Sequence, residues 1–154
     1  MSPDLFFRLA NNAALLGWLI LIILPRWRWS ARLIGPVVVP TLLAVLYAVL
    51  VAGNFGHGGG FSSLNSVARL FENRNLLLAG WVHYLAFDLF VGSWEVRDSQ
   101  IIGIAHYLVA PCLILTFLFG PVGWFLYMLI RSIATRSVGG PELESEDHSV
   151  ISGS

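Results

Sequence analysis

Four ionisable side chains, His83, Asp88, Asp98 and His106, fall within two dozen residues of one another in a chain whose apolar stretches are otherwise nearly bare of charge. An ionised group inside an apolar span costs on the order of 3 kcal/mol on insertion scales, so such groups face a protein interior. A carboxylate and an imidazole held in one dry cavity suit general acid–base chemistry. At 3.6 residues per turn Gly80, Trp81, Tyr84 and Asp88 share a helix face, whereas His83 lies about 140° round from Asp88. The same four ionisable residues would also be the donor set of a metal site. No HxxH or HxxxH pair is present, so the ligands would come from separate turns and helices. Each group also has a plainer role open to it. Asp88 can pair with Arg97 or with an arginine of the first connection, and His83 can bond a carbonyl in the core. Glu95 and Asp98 can be solvated loop acids.

The elements that must position these residues are four apolar stretches, about Leu5–Leu24, Leu33–Gly53, Leu76–Trp94 and Ile101–Ile130. Crossing a hydrocarbon core needs roughly 20 residues, and each stretch is long enough. The fourth is longer than one crossing requires and shorter than two, so it reads as one span that is tilted or kinked. Pro111 and Gly120-Pro121-Val122-Gly123 are the places where it would bend. Antiparallel neighbours joined by the short segment Glu95–Gln100 would bring His106 to the depth of Asp88. Ala105, Cys112, Thr116, Gly120, Gly123 and Tyr127 form a small or polar stripe of the kind that marks close helix packing. The expected fold is therefore all-α: a polytopic four-transmembrane-helix bundle over residues 1–135.

The longer connection Asn54–Asn75 contains Gly58-Gly59-Gly60, then Ser62 or Ser63 as a cap. After it Leu64, Val67, Leu70 and Phe71 lie on one face, which predicts a short amphipathic helix at the membrane interface between helices 2 and 3. Residues 136–154 are polar, acidic and rich in Gly and Ser, and read as a disordered tail. The segment Arg26-Trp27-Arg28-Trp29 stands where a signal peptide would need small residues, so the first stretch reads as a retained helix. Composition agrees with a lipid environment. The 154 residues are 56% apolar and only 12% charged, against about 25% charged in soluble domains; mean hydropathy is +0.75. All nine cations are arginine, spread over several connections, which is no footprint for nucleic acid. A single cysteine excludes an intrachain disulfide.

The string Gly80-Trp81-Val-His83-Tyr-Leu-Ala-Phe-Asp88-Leu-Phe, then Arg97-Asp98, then His106 ahead of Cys112 and Gly120-Pro121-Val-Gly123, resembles the plant neoxanthin-synthase (abscisic-acid-deficiency) membrane family and its bacterial homologues. The resemblance covers about residues 5–131 and is most specific between Gly80 and Gly123. It implies a small four-helix protein of a membrane, bacterial inner membrane in this case, linked to xanthophyll metabolism. It also implies an isomerase that opens an epoxide to an allenic alcohol with no redox cofactor. The matching positions His83, Asp88, Asp98 and His106 are the implied catalytic residues, and the chemistry of their side chains suits Asp88 as acid or base, His106 as its complement and His83 as an orienting group. Arg97 would stabilise oxyanion charge, and Trp81 and Tyr84 would contact substrate. The expected partners are membrane lipid and a carotenoid or isoprenoid substrate, with no nucleic acid; a homo-oligomer is compatible. The alternatives are a metal-dependent membrane enzyme on a lipid substrate, or a non-enzymatic carotenoid- or lipid-binding accessory protein.

Overall fold

The computed structural model describes residues 2–27, 37–54, 56 and 59–139. These are all helix, turn and connection, with no strand among the described residues. Six helices follow in order: α1 (Pro3–Ile23), α2 (Val39–Asn54), α3 (Leu64–Glu72), α4 (Arg74–Ile102), α5 (His106–Phe119) and α6 (Pro121–Gly139). They form two compact units, 1–94 and 95–154, and α4 runs through both. Among the described residues two helices, Pro3–Ile23 and Arg74–Ile102, are long and apolar enough to cross a membrane, while α2 and α5 are apolar but shorter. The start expected for the second stretch falls outside the described residues, as do Arg28, Trp29, Arg32 and His57.

In the first unit α1 begins with Pro3 at its first turn and Asp4 beside the positive end of the helix dipole. It closes at Leu24, ahead of Pro25, which cannot continue it. Ala10, Ala14 and Gly17 present a face with little side chain, so α4 comes close; a Cβ on Gly17 would stand 2.7 Å from Leu89 Cδ2. Ala10 and Ala14 of α1, Leu43 and Leu50 of α2 and Leu78, Ala79, Val82, Leu85 and Ala86 of α4 make the core. Outside it the helices stay apolar: Leu16, Leu42, Val45, Val49, Phe87 and Phe90 are exposed. Helices that are hydrophobic all round belong in lipid or in a large core.

The short helix appears where its periodicity put it. Ser63 caps α3, its hydroxyl accepting from Ser66 N at 3.2 Å. Phe71 packs on Gly80 of α4, where a Cβ would sit 2.8 Å from its ring. Asn73 then caps α4, its side-chain oxygen accepting from Asn75 N at 2.9 Å and Leu76 N at 3.4 Å.

The second unit departs from expectation in three places. Residues 95–100 are not a loop: α4 continues to Ile102, because Glu95, Arg97 and Gln100 are good helix formers and Glu95, Val96 and Ser99 are buried. The helix ends at Gly103, at φ +78°, with Ile104 N bonded to Ser99 O, a left-handed glycine stop. Second, the stretch 101–130 is not one bent helix. Gly120, at φ +45°, turns the chain, and Pro121 starts α6 with a ring that needs no N–H. A Cβ on Gly123 would lie 2.5 Å from Cys112 O, although eleven residues of continuous helix would separate them by about 16 Å. α5 and α6 therefore lie side by side as a helical hairpin. Third, α6 runs to Gly139, so Arg136–Gly139 is helical; the rest of the predicted tail lies outside the described residues.

Candidate functional site

In the first unit one face of α4 carries a polar and aromatic run. The Trp81 indole donates to Asn11 Oδ1 of α1 at 2.7 Å, and its ring lies 6.0 Å from Phe7 and 5.4 Å from Tyr84. The Tyr84 hydroxyl is hydrogen bonded to the Asp88 carboxylate, one helical turn further on. The other carboxylate oxygen, Asp88 Oδ2, is shielded from solvent and has no hydrogen-bond partner among the described residues. Nor does Asp88 form an ion pair among them. An acid with one oxygen held by a hydroxyl and the other unpartnered among the described residues can take up a proton and pass one on.

His83 sits on another side of the same helix. It is exposed and packs between Tyr47 of α2, at 5.5 Å, and Phe87, at 4.6 Å between ring centres. The structure thus joins Asp88 to Tyr84 and sets His83 against aromatic neighbours, as the 140° separation implied.

The second unit holds Asp98, Arg97 and His106. The Asp98 carboxylate is fully engaged: Oδ2 accepts from the Tyr127 hydroxyl at 2.6 Å and Arg131 Nε at 2.8 Å, and Oδ1 from Arg131 Nη2 at 3.3 Å. This is a forked guanidinium–carboxylate pair, the geometry that arginine favours. One turn back, Glu95 is entirely buried, and its two oxygens accept from Thr116 Oγ1 at 3.0 and 3.3 Å. Neither acid is a solvated loop residue. Arg97 is exposed, and His106 opens α5, half-buried.

Glu95, Thr116, Tyr127 and Arg131 are polar positions to which the sequence reading gave no chemical role. Glu95 was legible in one respect: it continues the heptad spacing of Trp81 and Asp88, which returns a residue to nearly the same face of a helix. Cys112 is buried and unbridged, and with Thr116, Gly123 and Tyr127 it forms the packed inner side of the hairpin. No three His, Cys, Asp or Glu side chains gather to hold a metal ion among the described residues.

Two grooves open on the first unit. One, of about 250 Å³, is lined by Asp4, Phe7, Arg74, Leu77 and Trp81 among others. The second, of about 210 Å³, lies among Pro40, Ala44, Ala86, Phe87 and Phe90 and is apolar.

Residues 5–127 match the ABA DEFICIENT 4-like (ABA4-like) family, and the chain belongs to it. The family relates the chain to carotenoid and neoxanthin metabolism. No curated protein and no solved structure matches it.

Proposed function

We propose that this member of the ABA DEFICIENT 4-like family is a membrane-embedded isomerase-type enzyme acting on a carotenoid, xanthophyll or similar isoprenoid lipid by general acid–base chemistry. α1, α2, α4 and the α5–α6 hairpin, which folds back on itself instead of crossing as one helix, are its membrane segments, making a multi-pass protein of a bacterial inner membrane. α3 lies at the interface with Phe61 and Leu64, 87% and 84% exposed, turned to lipid. The observation that carries the reading is Asp88: an oxygen screened from water, without a partner among the described residues, next to a tyrosine hydroxyl.

The reaction needs only protons. Asp88 Oδ2 removes the proton from the polyene carbon adjoining the epoxide ring. The electron pair of that C–H bond forms the second double bond of the allene, and the ring C–O bond breaks. Its electrons stay on oxygen, which takes a proton from the Tyr84 hydroxyl. The protonated carboxyl group of Asp88 then turns about its Cβ–Cγ bond and returns that proton to the Tyr84 phenolate, restoring both groups. No electron is gained or lost overall. In this reading Tyr84 supplies the complementary acid that the sequence assigned to His106. Asp98 and Glu95 fix the hairpin rather than react.

The test is expression in a bacterial host that makes epoxy-carotenoids, with pigment analysis. The wild-type chain is expected to give an allenic isomer of unchanged mass, and Asp88→Asn to give none at equal protein level. Unchanged pigments across several carotenoid backgrounds would refute the reading.

A further inference from the structure

Arg74, Trp81 and Asp88 follow one another at intervals of seven, and two heptads return a helix residue to within about 40° of its starting direction. They therefore line one face of α4. The fourteen residues from Arg74 to Asp88 span about 21 Å. That is roughly the length of polyene separating the two rings of an extended forty-carbon carotenoid. At the far end of this stripe lies the groove of about 250 Å³ between the start of α1 and the start of α4. Pockets for drug-sized ligands begin near 300 Å³, so this one takes an end group rather than a whole molecule.

The lining is divided by chemistry. Phe7, Leu77 and Trp81 supply an apolar wall, held in place by the Trp81–Asn11 hydrogen bond. Asp4 and Arg74 supply a polar end, joined by a single contact, Arg74 Nη2 to Asp4 Oδ1 at 2.8 Å. A pair joined through one oxygen and one nitrogen presents a further carboxylate acceptor beside further guanidinium donors. A hydroxyl is both donor and acceptor, so one hydroxyl can donate to Asp4 and accept from Arg74 at once.

We infer that this groove is a substrate subsite, in which a hydroxylated end ring of the isoprenoid rests on Phe7 and Trp81 with its hydroxyl between Asp4 and Arg74. The opposite end of the same molecule then reaches Asp88. The inference rests on the proposed isomerase reading for its substrate class, and it makes the spacing of Arg74 and Asp88 a ruler for chain length.

The test is equilibrium binding to the full-length protein in nanodiscs, read by quenching of tryptophan fluorescence. The probes are zeaxanthin and β-carotene, which share one skeleton and differ by two hydroxyls. The wild-type protein is expected to bind zeaxanthin at least tenfold more tightly, the scale of one hydrogen bond to a charged group. Arg74→Met and Asp4→Asn should each bring the two affinities together while leaving β-carotene affinity unchanged. Leu77→Trp, which fills the groove from its exposed edge and leaves the ion pair alone, should weaken zeaxanthin binding without unfolding the chain. Equal wild-type affinities, or a preference that survives both Arg74→Met and Leu77→Trp, would overturn the subsite. Binding selectivity without any conversion in the pigment host would refute the isomerase and leave the subsite standing. Conversion without selectivity would do the reverse.

Discussion

Gly123→Ala separates a helical hairpin from a single bent helix by the sign of its effect. In the interior of a continuous helix the exchange stabilises by about 0.5–1 kcal/mol, because alanine loses less backbone entropy. In the hairpin the new methyl would land on the Thr116 amide and hydroxyl and 2.5 Å from Cys112 O. Two of those obstacles are backbone, so they yield only if α5 and α6 separate. Overpacking of this kind costs about 1–3 kcal/mol. The displaced Thr116 hydroxyl also donates to the buried Glu95 carboxylate, and losing a bond to a charged group adds about 1.5–3 kcal/mol. The expected destabilisation is about 3–5 kcal/mol, or roughly 10 °C in Tm for a chain of this length. Thermal unfolding in detergent, followed by far-UV circular dichroism, measures it. Gly53→Ala in α2 is the control: nothing lies within 4 Å of its Cβ, so its Tm should hold or rise slightly. A Gly123→Ala protein at least as stable as the wild type would refute the hairpin.

Tyr127→Phe removes a fully buried hydroxyl that donates to Asp98 but leaves the Arg131 fork in place. It should cost about 1–2 kcal/mol in denaturant unfolding while pigment conversion persists; lost conversion at full stability would move the chemistry to the second unit. Tyr84→Phe and Asp88→Asn should each slow conversion about 100-fold or more, the usual range for a general acid or base. Because the two groups exchange one proton along one bond, the double variant should be no slower than the worse single. Multiplying effects would show that they act independently.

How much was visible beforehand depends on whether the deciding partner is near in sequence. α3 was legible because both its cap, Ser63, and its apolar face lie within ten residues. The separation of His83 from Asp88 followed from helix geometry alone. The end of α4 was misjudged at Trp94 because hydropathy treats a run of charge as an exit to water. Here the partners that keep Glu95 and Asp98 in the helix are Thr116, Tyr127 and Arg131, 21, 29 and 33 residues away, beyond any local pattern. The break at Gly120-Pro121 was visible as a place to bend. Total length then argued wrongly for one helix, since a hairpin of short helices needs no full crossing in each arm.

The three acids on α4 face the same physical problem and meet it differently. A carboxylate removed from water loses hydration that a neighbouring donor returns only in part, so buried acids survive where both oxygens are met. Asp98 has a tyrosine and a guanidinium, and Glu95 has Thr116 bridging both oxygens. Among the described residues Asp88 has Tyr84 on one oxygen and no partner on the other. Leaving one such acceptor unmet costs about 1–3 kcal/mol. Asparagine would fill the same space without a charge to desolvate. A stability penalty held at the one acid that also adjoins a proton donor is the expected mark of a group kept for its reactivity. Asp88→Asn should therefore leave the fold as stable as before, or more so, while it stops the reaction.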